Sequence, residues 1–317
     1  MKLSRSLAGL SLFAALAMAL PAQAQDAASC KTVRLSDVGW TDITSTTAVT
    51  SKILTGLGYK PDVKILSVPV TFASLANNNI DVFLGNWMPA QTEAIGKYVK
   101  DGSIVRVHKN LEGAKYTLAV PKYLYDKGLH DFSDIHKFKK QLNGKIYGIE
   151  AGNEGNAKIL DMIKKDKFDL KGFDLVASSE QGMLSQVARA TKSKKGIVFL
   201  AWAPHPMNTN YDIKYLTGGD EYFGPNFGGA TVYTVTRKGY VQDCPNVGKL
   251  LNNLTFNLDM ENQIMGKILD KKEEPKQAAT EWLKANPGAL NKWLDGVKTM
   301  DGKDGLAAVK SSLGISS

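Results

Sequence analysis

The sequence predicts an α/β protein built as two lobes, with a ligand cleft between them and a hinge where the chain crosses. Three observations carry this reading. Short apolar runs alternate with segments of helical spacing, the pattern of a mostly parallel sheet covered on both faces. The alternation comes in two sets, one before Tyr116 and one after it, in a chain of 317 residues that is long enough for two cores. A β-rich stretch at Ala230–Thr236, followed by helical patterning from Val247, could return the chain to the first set. The expected division is a leader over 1–24, lobe I over 25–114 and 230–317, and lobe II over 115–229.

The leader comes first. Lys2 and Arg5 make a basic start, Leu7 to Leu20 is apolar, and Ala22-Gln23-Ala24 is a small-residue cleavage site. This is the pattern of a secretory signal peptide cut before Gln25, so the mature chain is expected in the periplasm. The apolar run is too short to cross a bilayer, and no later stretch is long enough. Two cysteines follow, Cys30 and Cys244. In an exported chain an even pair argues for a disulfide. The rival reading is a lipid anchor on Cys30, because Ala27-Ala28-Ser29-Cys30 weakly resembles a lipobox.

In the first set, the run Thr32–Leu35 reads as a strand, and helical spacing starts at about Thr44 and stops near Gly58. Between them lies Ser36-Asp37-Val38-Gly39-Trp40-Thr41-Asp42. Trp40 and Asp42 thus sit on a strand-to-helix connection, where α/β sheets place ligand crevices. Val63–Val68 reads as a strand and Phe72-Leu75-Ala76 as one face of a short helix. Ile80–Asn86 is a strand ending at Trp87, with a helix from about Ala90 to Lys100 and a strand at Ile104–Val107 after it.

The second set opens with the apolar run Tyr116–Val120. Lys145–Glu150 is a strand, and the polar glycine turn Ala151–Asn156 opens a helix over Ala157–Lys165. Phe173–Ala177 is a strand, Gln181–Thr191 a helix, and Ile197–Ala201 a strand running into Trp202 and the breaker Pro204-His205-Pro206. In the helical remainder, Trp282 and Trp293 stand among apolar positions and read as packing residues.

Trp40, Trp87, Tyr116 and Trp202 recur at strand ends. Singly, each reads as core filler. Together with the acid Asp42 they suit a cation, which an aromatic face attracts through its ring quadrupole. Asp42 has a plainer reading too, as a cap on the helix starting near Thr44.

Composition limits the alternatives. Hydrophobic residues make up 43% and charged residues 22%, ordinary for a soluble globular protein. The formal net charge is +9; without Lys2 and Arg5 there remain 38 basic against 31 acidic side chains, a net +7. The excess is mostly scattered lysine, such as Lys137, Lys139 and Lys140, rather than arginine clustered with aromatics, so no nucleic-acid partner is expected. Nor can the overall charge draw a cation inward, so attraction must be local to the site. No G-x-S-x-G elbow occurs, and His108, His130, His136 and His205 lack metal-ligand spacing. Gly148–Gly155 opens a helix after a strand but departs from both G-x-G-x-x-G and the P-loop. The expectation is no enzyme, no metal and no cofactor.

Ser36-Asp37-Val38-Gly39-Trp40-Thr41-Asp42-Ile43-Thr44, with Gly85-Asn86-Trp87-Met88-Pro89, closely resembles the periplasmic substrate-binding proteins of quaternary-ammonium ABC transporters, and within them the choline-binding ones. The resemblance covers nearly the whole mature chain. It implies a box of Trp40, Trp87, Tyr116 and Trp202 around a trimethylammonium, with Asp42 and Asn153 at the hydroxyl end of choline. It also implies hinge closure of two lobes on the ligand and delivery to a membrane-embedded ABC permease by a monomeric binding protein. Glycine betaine, carnitine, proline betaine and acetylcholine remain as other ligands for the same fold, and a periplasmic enzyme using the same lobes as a third reading.

Overall fold

The computed structural model describes residues 26–315; the expected signal peptide, with its cleavage site, lies outside the described residues. Helices of nine or more residues are numbered below. In the first half β1 (Thr32–Asp37) leads to α1 (Thr41–Gly56), β2 (Lys60–Ile65), α2 (Val68–Ala76), β3 (Val82–Met88) and α3 (Thr92–Lys100). Then comes β4 (Ile104–Pro121), followed by β5 (Lys145–Tyr147), α4 (Glu154–Lys164), β6 (Asp174–Val176), α5 (Glu180–Lys192), β7 (Phe199–Ala203) and β8 (Ile213–Tyr215). The chain closes with β9 (Gly229–Arg237), α6 (Pro245–Asn253), α7 (Leu258–Leu269), α8 (Pro275–Ala285) and α9 (Gly305–Leu313).

The strand order is β2-β1-β3-β9-β4-β7-β5-β6, with β8 alongside β4. Two parallel groups flank the middle: β1 pairs in parallel with β2 and β3, and β5 with β6 and β7. Between them β4 and β9 run antiparallel, from Ile104 opposite Arg237 to Lys115 opposite Gly229. At Lys115 the partner of β4 changes to β7, with Tyr116 opposite Trp202. The expected strands at Ile104–Val107 and Tyr116–Val120 are therefore one 18-residue strand. Its polar middle, His108 to Lys115, hid the continuity, because bulges between Arg106 and Ala114 break the alternation of faces.

Helix α1 shows how packing overrides propensity. Its sequence TDITSTTAVTSKILTG is rich in β-branched residues that weakly favour helix. Twelve of its residues are buried, and Ser45, Thr50 and Thr55 return their hydroxyl protons to the carbonyls four residues back. It packs on α7, α8 and α9, so the C-terminal helices cover the first parallel group. The expected start at Thr44 is three residues late, since the helix opens at Thr41. The strand expected over Val63–Val68 instead ends at Ile65, and Val68 begins α2 with Pro69 in its first turn.

Cys30 and Cys244 form a disulfide with a Cα–Cα distance of 5.7 Å. The lipid-anchor reading of Cys30 is thereby corrected, because its sulfur is already bonded. Nearby, buried Asp81 accepts from Arg34 Nη2 at 2.6 Å and Arg237 Nε at 2.9 Å, tying β1 and β9 to the start of β3. Trp282 and Trp293 stack with centroids 6.1 Å apart, as packing residues should.

Candidate functional site

The turn after β1 is shaped for one purpose, to end in Trp40 and start α1. Gly39 has φ +79° and donates its N–H to Asp37 Oδ1 at 2.8 Å. Trp40 takes the position before the helix, and its Nε1 donates to Glu150 Oε1 at 3.0 Å. Asp42 falls inside the first turn, so the capping role does not apply. Its Oδ2 accepts from Trp87 Nε1 at 3.2 Å, whereas its Oδ1 is buried without a partner.

Trp87 comes from the end of β3, Tyr116 from β4 and Trp202 from β7. The ring centroids of Tyr116 lie 6.3 Å from Trp87 and 6.4 Å from Trp202, both edge to face. Tyr116 Oη donates to Asn153 Oδ1 at 2.6 Å, and the same oxygen accepts from Gly155 N–H at 2.8 Å. Asn153 thus caps α4 and anchors Tyr116 at once. A side chain at position 155 would put its Cβ 2.1 Å from Tyr116 Oη, so only glycine lets the tyrosine reach. Asn153 Nδ2 donates to Glu150 Oε1 at 3.2 Å, which links it to Trp40.

These six residues line one cavity. Gln91 and Glu154 complete its polar wall. Sequence reasoning passed over both. Asn86 Nδ2 donates to Gln91 Oε1 at 3.0 Å, which leaves the buried Gln91 Nε2 unpartnered; Glu154 Oε1 is unpartnered as well. Among the described residues no Lys, Arg or His lines the cavity. Burial, and then the nearby Glu180, push the Asp42 carboxyl up to about 8. Burial raises Glu154 to about 7 and also raises Glu150. A cation between the four aromatic walls favours the ionised form of these carboxyls, so positive charge is stabilised locally even though the whole chain is basic. No sequence pattern announces which buried polar atoms stay unpaired, because that depends on the packing of three separate segments.

Residues 31–285 match the family described as the substrate-binding domain of the ABC-type glycine betaine transport system. The chain belongs to this family. It is therefore a transport substrate-binding protein and not an enzyme. A solved ABC-transporter choline-binding protein in complex with choline is 61% identical, with a TM-score of 0.89 over 90% of this chain and 99% of that one. Lactococcal OpuAC, closed on glycine betaine, is 27% identical with a TM-score of 0.75, over 83% of this chain and 99% of that one. A glycine betaine/carnitine transport binding protein of Listeria monocytogenes is 32% identical over 165 residues, 52% of this chain and 54% of that protein. The fold is that of the two-lobe binding proteins that close on ligand.

Proposed function

We propose that this protein captures choline in the cleft and hands it to a membrane-embedded ABC permease, working as a monomer in the periplasm after loss of its signal peptide. Lobe I on this reading is 25–114 with 230–317, and lobe II is 115–229. Trp40, Asp42 and Trp87 then face Asn153 and Trp202 across the cleft, with Tyr116 at the crossing. The observation that carries the reading is a buried, unpartnered carboxylate oxygen among four aromatic rings with no basic group at hand.

A desolvated cation–π contact contributes up to ~2 kcal/mol, so four rings supply at most ~8 kcal/mol. Association costs roughly 4–15 kcal/mol, and micromolar binding needs about 8 kcal/mol net. The rings alone fall short, so methyl burial, the acidic field and a preformed cage must add the rest. A quaternary ammonium suits the cage because it has no N–H donors to strand among rings, as a primary amine would. Asn153, expected beside Asp42 at the hydroxyl end, already bonds Tyr116, Gly155 and Glu150, so on this reading the tail is sorted by Asp42 Oδ1, an acceptor, and Gln91 Nε2, a donor. A hydroxyl can donate to the first and accept from the second. A betaine carboxylate would satisfy only Gln91 and would be repelled by Asp42.

Glycine betaine is the second reading, favoured by the glycine betaine found in the lactococcal relative. A thermal-shift and titration series with choline, acetylcholine, glycine betaine, proline betaine and carnitine tests both. A ligand that binds only the native state raises its stability by RT ln(1 + [L]/Kd). Choline should give the largest shift. A larger shift with glycine betaine would replace the first reading by the second, and no shift with any methylated amine would end both.

A further inference from the structure

A carboxylate outside the cavity binds the two walls to each other. Glu180, the first residue of α5, is 1% exposed. Its Oε2 accepts from the Thr41 backbone N–H at 2.8 Å and its Oε1 from Thr41 Oγ1 at 2.5 Å. Thr41 lies between Trp40 and Asp42, at the first turn of α1, where the helix dipole also favours a negative charge. On the other side His205 Nε2 lies 3.2 Å from Glu180 Oε1. His205 Nδ1 accepts from the Met207 backbone N–H at 2.9 Å, so the ring carries its proton on Nε2 and donates it to Glu180. The His205 ring in turn sits edge to face on Trp202, centroids 5.0 Å apart. A continuous chain therefore runs from Trp202 through His205 and Glu180 to Thr41.

Resting on the lobe division and cleft reading above, we infer that Glu180 is a positioning residue for ligand retention. It latches lobe II onto the start of α1 when the cleft closes, with His205 setting its orientation against Trp202. Opening the cleft separates Glu180 from both Thr41 donors and returns it to water. The latch is thus made after ligand has entered, and it acts on escape rather than entry. A carboxylate holding three donors in a buried site is a strong contact only while all three are present.

The test uses the full mature chain with Glu180→Ala, Glu180→Gln and, from the opposite lobe, Thr41→Val. Stopped-flow tryptophan fluorescence with choline should show dissociation ~10- to 100-fold faster in Glu180→Ala, with association within about threefold of wild type. Thr41→Val should give a smaller rise that does not add to that of Glu180→Ala. The ligand-free melting temperature should stay close to wild type, because ligand-free protein makes the contact only in its minor closed fraction, the source of the short distances below. An unchanged dissociation rate overturns the latch, and so does an equal loss of ligand-free stability, which would mark Glu180 as a packing residue of lobe II. Spin labels at Lys192→Cys and Lys276→Cys read closure without ligand. If wild type ignores choline, the choline reading fails, and the latch is then judged by this distance distribution alone. Loss of the short distances in Glu180→Ala supports it, and identical distributions overturn it.

Discussion

Asp42 gathers the chemistry of the site into one side chain. One oxygen holds Trp87 in place and the other is buried without a partner in a cavity lined by carboxyls and rings. Asp42→Asn keeps the shape and removes the charge. Losing one partner of a buried charge pair costs ~3–5 kcal/mol, less where water reaches the site. Choline affinity should fall roughly ten- to a thousandfold at ~1.4 kcal/mol per decade. Glycine betaine should lose less or gain, so titration of both ligands must show a smaller choline-to-betaine ratio; an unchanged ratio would move selectivity to Gln91 or Glu154. Trp40, Asp42, Trp87 and Trp202 were legible in sequence because each ends a strand or starts a helix, and those boundaries carry local signals; Tyr116 was found through an apparent strand start although it lies inside β4. Gln91, Glu154 and Glu180 were not. They look like ordinary polar helix starts until the fold buries them, and Glu180 gains meaning only through Thr41, 139 positions away.

At the scale of elements, the alternation of strands and helices was readable because apolar period and turn residues are local. The central pairing of β4 with β9 was not. It joins residues more than a hundred positions apart across bulges, and no local period encodes it. The Cys30–Cys244 disulfide is a second long-range tie, closing a loop of 214 residues between the lead-in to β1 and the start of α6. In the chain-entropy account, closing so long a loop stabilises the fold by ~3–5 kcal/mol. Native protein should show no alkylatable thiol by mass spectrometry of non-reduced material. After reduction its denaturant midpoint should drop with little change in choline affinity, because neither cysteine lines the cavity. Loss of binding with an unchanged midpoint would contradict this separation of staple from site. The Asp81 knot beside it adds a charge-assisted tie. Burial alone would raise its carboxyl, but hydrogen bonds from Arg34 and then Arg237 hold it below the usual range. That contribution is present above the ordinary carboxylate pKa and fades as pH falls through the depressed one.

For the whole molecule, closing the empty cleft confines acids with no cation to answer them. Asp42 is faced by Glu180 and Glu261, and Glu154 by Glu150, against which Lys158 supplies a smaller opposing pull. With the walls packed together as they are here, Asp42 is pushed to about 8 and Glu154 to about 7, and burial raises Glu261 well above the carboxylate range. Opening returns cleft-facing carboxyls toward their ordinary values near 4. The closed form therefore binds more protons than the open one between those values. Its advantage is complete below the open-form pKa and is lost as pH rises through about 7–8. Each carboxyl that differs in protonation changes the closed-to-open ratio by up to about tenfold per pH unit. Ligand-free protein should accordingly be more compact at pH 5 than at pH 8 in small-angle scattering. Choline should abolish the difference, since its charge replaces the proton as the partner of Asp42. Asp42→Asn with Glu154→Gln should flatten the ligand-free profile as well. A radius of gyration that ignores pH in the wild type, or one that still varies in the double variant, would show that closure is governed by groups other than these two acids.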